Sequence, residues 1–141
     1  MSSRAHILVV EDNEMNYKLA RRLLEIEGYR VSHAPDAESA LLQIKETIPD
    51  LIALDIQLPE MDGFTFVEIL KKDERTRHIP ILALSAHAMQ EDVQRAKAIG
   101  IDGYVTKPID TRKFPAQISA CLAKKNPPAP GTAPGTGAPQ S

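Results

Sequence analysis

A single cysteine, Cys121, is all the thiol chemistry the chain carries. It can form no internal disulfide, and a reducing cytoplasm is the expected setting. No apolar run comes near the roughly 20 residues needed to span a bilayer, so no membrane role is expected. Met1-Ser2-Ser3-Arg4 passes straight into a strand-like run, without the apolar stretch of a signal peptide. Positive charge is not in excess either. Seventeen Lys and Arg stand against 19 Asp and Glu, a formal net charge of −2. Non-specific binding to nucleic acid needs a clear basic surplus, so nucleic acid is not the expected partner. His6, His33 and His78 have no metal-ligand spacing to one another and are read as strand or surface residues. No internal repeat is present.

What is there is an ordinary globular composition, 43% apolar over 141 residues, enough for one domain and a short extension. Five short apolar runs alternate with five amphipathic stretches. His6 to Val10 is the first run. From about Asn16 to Glu27, Leu19, Ala20, Leu23 and Leu24 recur at helical spacing, and Gly28 stops them. Tyr29 to His33 is a shorter, alternating strand. Asp36 is placed to cap a helix with the apolar face Ala37, Ala40, Leu41 and Ile44. Leu51 to Leu54 is apolar without a break, as in a strand covered on both faces. A loop, Gln57 to Gly63, leads to a helix carrying Phe66, Val67, Ile69 and Leu70. Ile79 to Leu84 is the fourth strand, with Pro80 at its start. Met89, Val93, Ala96 and Ile99 mark the fourth helix, and Gly100 ends it. Gly103 to Thr106 is the fifth strand. Phe114, Ile118, Cys121 and Leu122 line the last helix, where Cys121 reads as a packing residue.

Alternation of this kind predicts an α/β fold with a parallel sheet and helices on both faces. Right-handed crossovers make it doubly wound, and five strands suggest the flavodoxin-like order 2-1-3-4-5. Residues 1–125 form this domain. Asn126 to Ser141, rich in Pro, Ala, Gly and Thr and without a charged side chain, is expected to be a flexible tail.

In such sheets ligands bind beyond the carboxyl ends of the strands. Glu11 and Asp12 follow the first strand, Asp55 the third, Ser85 the fourth, and Lys107-Pro108 the fifth. Each has an ordinary structural use. Asp12 or Asn13 can cap the first helix, Asp55 can sit in a turn, Ser85 can cap the fourth helix, and Lys107 can be a solvated lysine. Their conjunction on four strands that neighbour one another points instead to one site. Three crowded carboxylates call for a cation. Hard oxygen ligands suit Mg²⁺ with retained waters. A carboxylate can be a nucleophile toward phosphorus, and the ammonium and hydroxyl can neutralise phosphoryl oxygens.

The segments Val9-Val10-Glu11-Asp12-Asn13, Leu54-Asp55-Ile56-Gln57-Leu58-Pro59-Glu60-Met61-Asp62-Gly63, Leu84-Ser85-Ala86 and Lys107-Pro108 resemble the response-regulator receiver domain, over roughly residues 5 to 123. They are similar in particular to stand-alone receivers of the CheY and DivK kind. The resemblance implies a phosphorelay component that signals rather than an enzyme with a substrate of its own. It implies that Asp55 takes a phosphoryl group from a histidine kinase or histidine phosphotransferase. It implies Mg²⁺ held by Asp12, Asp55 and the backbone carbonyl of Gln57, with Glu11 acting mainly through a metal-bound water. Lys107 would contact the phosphoryl group, Ser85 would follow it, and Tyr104 would report the switch. The Lys107-Pro108 bond would be cis. The output would be a protein contact made through the face of helix four, strand five and helix five. Pro115 departs from the pattern, because it falls about a turn inside the expected last helix, which should then begin late or kink. His87, two residues after Ser85, reads as an exposed loop residue. A haloacid-dehalogenase-type phosphatase would want a second aspartate where Gln57 stands. A flavin-binding protein would need a phosphate cradle where Glu11 and Asp12 repel phosphate. A receiver that no longer takes phosphate would not keep the full acidic set with Ser85 and Lys107.

Overall fold

The computed structural model describes residues 5–58, 61–86 and 90–125. The expected tail, His87 and Met89 lie outside them. Among these residues, five strands alternate with five helices. The strands are β1 (His6–Val10), β2 (Arg30–Ala34), β3 (Leu51–Asp55), β4 (Ile81–Ser85) and β5 (Gly103–Thr106). The helices are α1 (Glu14–Ile26), α2 (Ala37–Glu46), α3 (Gly63–Lys71), α4 (Gln90–Ala98) and α5 (Phe114–Lys125). Every pairing is parallel, and the spatial order is β2-β1-β3-β4-β5. This is the flavodoxin-like order that the alternation implied.

Side chains alternate across a strand, so each strand feeds two cores. Ile7 and Val9, Leu51 and Ala53, and Leu82 and Leu84 meet Ala20 and Leu24 of α1 and Phe114, Ile118 and Cys121 of α5. Leu8 and Val10, Ile52 and Leu54, and Ile81 and Ala83 meet Ala40 and Ile44 of α2, Phe66 and Leu70 of α3 and Ala96 of α4. Every residue of β3 and β4 is buried, which is why both read as unbroken apolar runs closed by one polar residue.

Some boundaries differ from those the spacing suggested. Helix α1 starts at Glu14 rather than near Asn16, because Asn13 is its cap and its Oδ1 accepts from Asn16 N at 2.9 Å. Strand β2 runs one residue later than expected, and β4 begins only after Pro80. Leu19 and Ile69, assigned to apolar faces, are 37% and 39% exposed, since the arc of each helix that meets the sheet is narrower than its apolar stripe. Pro115 is the second residue of α5. There its missing N–H has no intrahelical acceptor to lose, so the helix begins late and needs no kink at the proline. Gly28 and Gly100, just past α1 and α4, have φ of 93° and 94°, a backbone state open to glycine at little cost.

Phe114 is fully buried and anchors α5 to the sheet. Phe114→Ala should cost about 3–5 kcal/mol of unfolding free energy, read from the urea midpoint at constant slope.

Candidate functional site

The register places the polar groups. Val10 of β1 pairs with Leu54 of β3, so the next residues, Glu11 and Asp55, leave the sheet side by side. Asp55 is the last residue of β3 and pairs with Leu84, while Ser85 pairs with Thr106 of β5. The Lys107 N–H then donates to the Ser85 carbonyl at 2.7 Å, which turns the chain so that the lysine reaches back across two strands. The Lys107–Pro108 peptide bond is cis.

Lys107 Nζ donates to Asp55 Oδ2 at 3.0 Å and forms an ion pair with Glu11 Oε1 at 2.9 Å. The three side chains are 15%, 4% and 1% exposed, so the pairing is screened little by water. Burial pushes the Glu11 carboxyl above its ordinary range. The Lys107 ammonium pulls against that, the Asp55 charge adds to it, and the Asn13 N–H also pulls back. Burial works against the charged form of Lys107, but the Glu11 and Asp55 carboxylates outweigh it and hold the ammonium above its ordinary value. One oxygen each of Glu11, Asp12 and Asp55 lie within 4.8 Å of one another. Glu11 and Asp55 form the floor, and exposed Asp12 stands at the mouth. This donor set fits Mg²⁺, a hard cation that keeps several waters. Buried Glu11 Oε1 has one cation, the Lys107 ammonium at 2.9 Å, set against two further carboxylates close by.

The surrounding loops are tied down locally. Asp55 Oδ1 accepts from the Gln57 N–H at 2.9 Å, and the Ala86 N–H donates to the Gln57 side chain at 3.2 Å, bridging the exits of β3 and β4. The Gly63 N–H donates to the Ile56 carbonyl at 3.0 Å, and a Cβ on Gly63 would stand 2.7 Å from Ile56 Cα, so only a bare backbone fits there. Arg95 of α4 lies 4.2 Å above the Phe64 ring and 3.6 Å from Asp62, joining α4 to the start of α3.

Glu11, Asp12, Asp55 and Lys107 are thus brought together, with buried Ser85 at the end of the neighbouring strand. Tyr104 packs instead on the core beneath α2, α3 and α4, where it borders a cavity of about 50 Å³ with Val93, Ala96 and Ile101. Two residues that strand-end reasoning passed over also belong here. His33, near the end of β2, donates from Nε2 to the Glu11 carbonyl at 2.8 Å, and its ring stacks on Tyr17 of α1 with centroids 3.7 Å apart. The only hint in the sequence is its place beside an edge-strand terminus.

The family model of the response regulator receiver domain matches residues 7–119, and the chain belongs to that family of signalling domains. Among curated relatives, the polar-differentiation response regulator DivK of Brucella ovis is 42% identical over 116 residues, covering 82% of this chain and 94% of the relative. DivK of Brucella anthropi is 41% identical with the same coverage. Among solved structures, chemotaxis response regulator CheY4 of Vibrio cholerae superposes with a TM-score of 0.80 at 28% identity, over 84% of this chain and 99% of that one. A CheY-like receiver domain protein of Methanospirillum hungatei gives 0.80 at 28% identity, over 87% and 97%.

Removing the ammonium tests the electrostatics. Lys107→Met leaves two buried carboxylates without a cation and should cost about 3–5 kcal/mol near neutrality in the absence of divalent ions. The Glu11 pKa is already raised in the folded state, so its protonation favours the folded variant as the pH falls, and the deficit should shrink in mild acid. Urea unfolding at the two pH values measures this; an undiminished deficit would place the strained charge elsewhere.

Proposed function

We propose that the chain is a phosphorelay component in which Asp55 accepts a phosphoryl group from a phosphohistidine on a histidine kinase or histidine phosphotransferase. The observation that carries this is the convergence of Glu11, Asp12 and Lys107 on a buried aspartate at a strand end. A carboxylate oxygen of Asp55 attacks phosphorus. The new P–O bond forms as the P–N bond breaks, and the electron pair stays on the donor nitrogen, so that a donor ring protonated at its other nitrogen leaves as neutral imidazole. Asp12, Asp55 and the Gln57 carbonyl would hold Mg²⁺, with Glu11 acting through a metal-bound water. When bound, Mg²⁺ supplies charge neutralisation for the carboxylates and the phosphoryl oxygens. Lys107, already on Asp55 Oδ2, orients the carboxylate and meets the incoming charge. Incubation with acetyl phosphate and Mg²⁺ should add one phosphoryl group by intact mass. Asp55→Asn should abolish the addition, and undiminished labelling of that variant would remove Asp55 from the role.

The signal would leave as a change in protein contacts in the cytoplasm. The phosphoryl group shifts the domain between two states only if it interacts better with one of them. Ser85 lies at the end of the strand next to Asp55 and its hydroxyl can turn toward a phosphoryl oxygen. Tyr104, on the adjoining strand, borders the small cavity by α4 and can turn inward. The face of α4, β5 and α5 would then present a different surface to a downstream protein. Ser85→Ala should still be phosphorylated, more slowly, while the Tyr104 ring resonances lose their response to beryllofluoride. A full wild-type response in that variant would show that another element carries the signal.

A further inference from the structure

We infer that His33 is a positioning residue for the metal site, holding the Glu11–Asp12 segment in the orientation that a divalent cation needs, an inference that rests on the Mg²⁺ reading above. Asp12 is an exposed carboxylate at the start of a turn. Among the described residues nothing bonds the Asp12 side chain, so its aim depends on the backbone that precedes it. Both backbone groups of Glu11 are held by β2. The Glu11 N–H donates to the Ala34 carbonyl at 3.0 Å, and the Glu11 carbonyl accepts from His33 Nε2 at 2.8 Å. A carbonyl can only accept, so Nε2 carries the proton. The second bond holds the Glu11–Asp12 peptide plane from outside the turn, while the Asn13 N–H, donating to Glu11 Oε2 at 3.2 Å, holds the turn from within, and together they set the direction in which Asp12 leaves.

The histidine is itself held from two sides. Its ring lies flat on Tyr17, in the first turn of α1, at 3.7 Å and 10° between planes. Its own carbonyl accepts from Gln43 Nε2 of α2 at 2.7 Å. Tyr17 in turn is tied to the same turn through its N–H to the Asn13 carbonyl at 3.0 Å. The β1–α1 turn is therefore closed through an imidazole, with a ligand-bearing peptide on one edge and the following helix on its face. Groups that orient metal ligands from behind commonly change metal affinity 10–100-fold when removed.

The test is an Mg²⁺ titration followed by calorimetry and by amide NMR, without phosphoryl donor, on the full chain. Wild type should saturate. His33→Leu should raise the half-saturating Mg²⁺ concentration about tenfold. His33→Gln, whose amide can reach the same carbonyl, should restore it to near the wild-type value. Tyr17→Leu, which removes the stack and leaves the hydrogen bond, should give a smaller rise, and it carries the test if His33→Leu does not fold. Wild-type saturation with equal half-points for the folded His33→Leu and Tyr17→Leu chains overturns the positioning role while leaving the Mg²⁺ site intact. No saturation of wild type overturns the Mg²⁺ reading, and the inference with it.

Discussion

Two carboxylates, Glu11 and Asp55, are buried next to each other, and the Lys107 ammonium pairs with both. Removed from water and left alone, neighbouring carboxylates would neutralise one of the pair. The lysine donates to Asp55 Oδ2 and pairs with Glu11 Oε1, so one cation faces both acids. It also leaves the arrangement short of full compensation, because one ammonium faces two carboxylates and a third at the mouth. That remaining negative charge would favour a divalent cation at this place. A site with balanced charge would be more comfortable and less able to bind one.

The fold supplies this arrangement economically. A parallel sheet sends the carboxyl ends of its strands to one edge, and the order β2-β1-β3-β4-β5 sets the exits of β1, β3, β4 and β5 in a row. Each exit adds one kind of group: acids from β1 and β3, a hydroxyl from β4, a cation from β5. The two apolar cores on either side hold the strands rigidly enough for these short side chains to meet. Tyr104 and α4 lie over one of those cores and Glu11's backbone is pinned from the edge strand β2, so the site touches both the interior and the periphery of the sheet.

Much of this could be read from the chain before any coordinates. Strand-length apolar runs separated by helical spacing fix the topology, because few ways exist to wind five β-α units. Polar residues directly after such runs identify the rim, and the acids with Lys107 did meet there. What escaped was everything set by three-dimensional neighbours. The choice of Asn13 over Asp12 as cap depends on the angle at which β1 exits. The exposure of Leu19 and Ile69 depends on how far each helix is rotated against the sheet. The Gln57 bridge to Ala86 joins two loops 29 residues apart. His33 was legible as a strand residue, but its partners come from the residue after β1 and from α1, and no local pattern marks a ring that will stack on Tyr17.

The acids are made earlier in the chain than the base that faces them. Asp55 and Lys107 are separated by 52 residues, and the lysine arrives only with β5, the outer strand of the sheet. As the chain leaves the ribosome, Glu11 and Asp55 are made long before their counter-charge exists. A nascent chain halted before β5 would hold an uncompensated acidic pair at the tips of β1 and β3, and those two strands would repel where they should close. Completion of the last strand therefore does two things at once: it closes the outer edge of the sheet and it brings the ammonium that compensates the acidic pair.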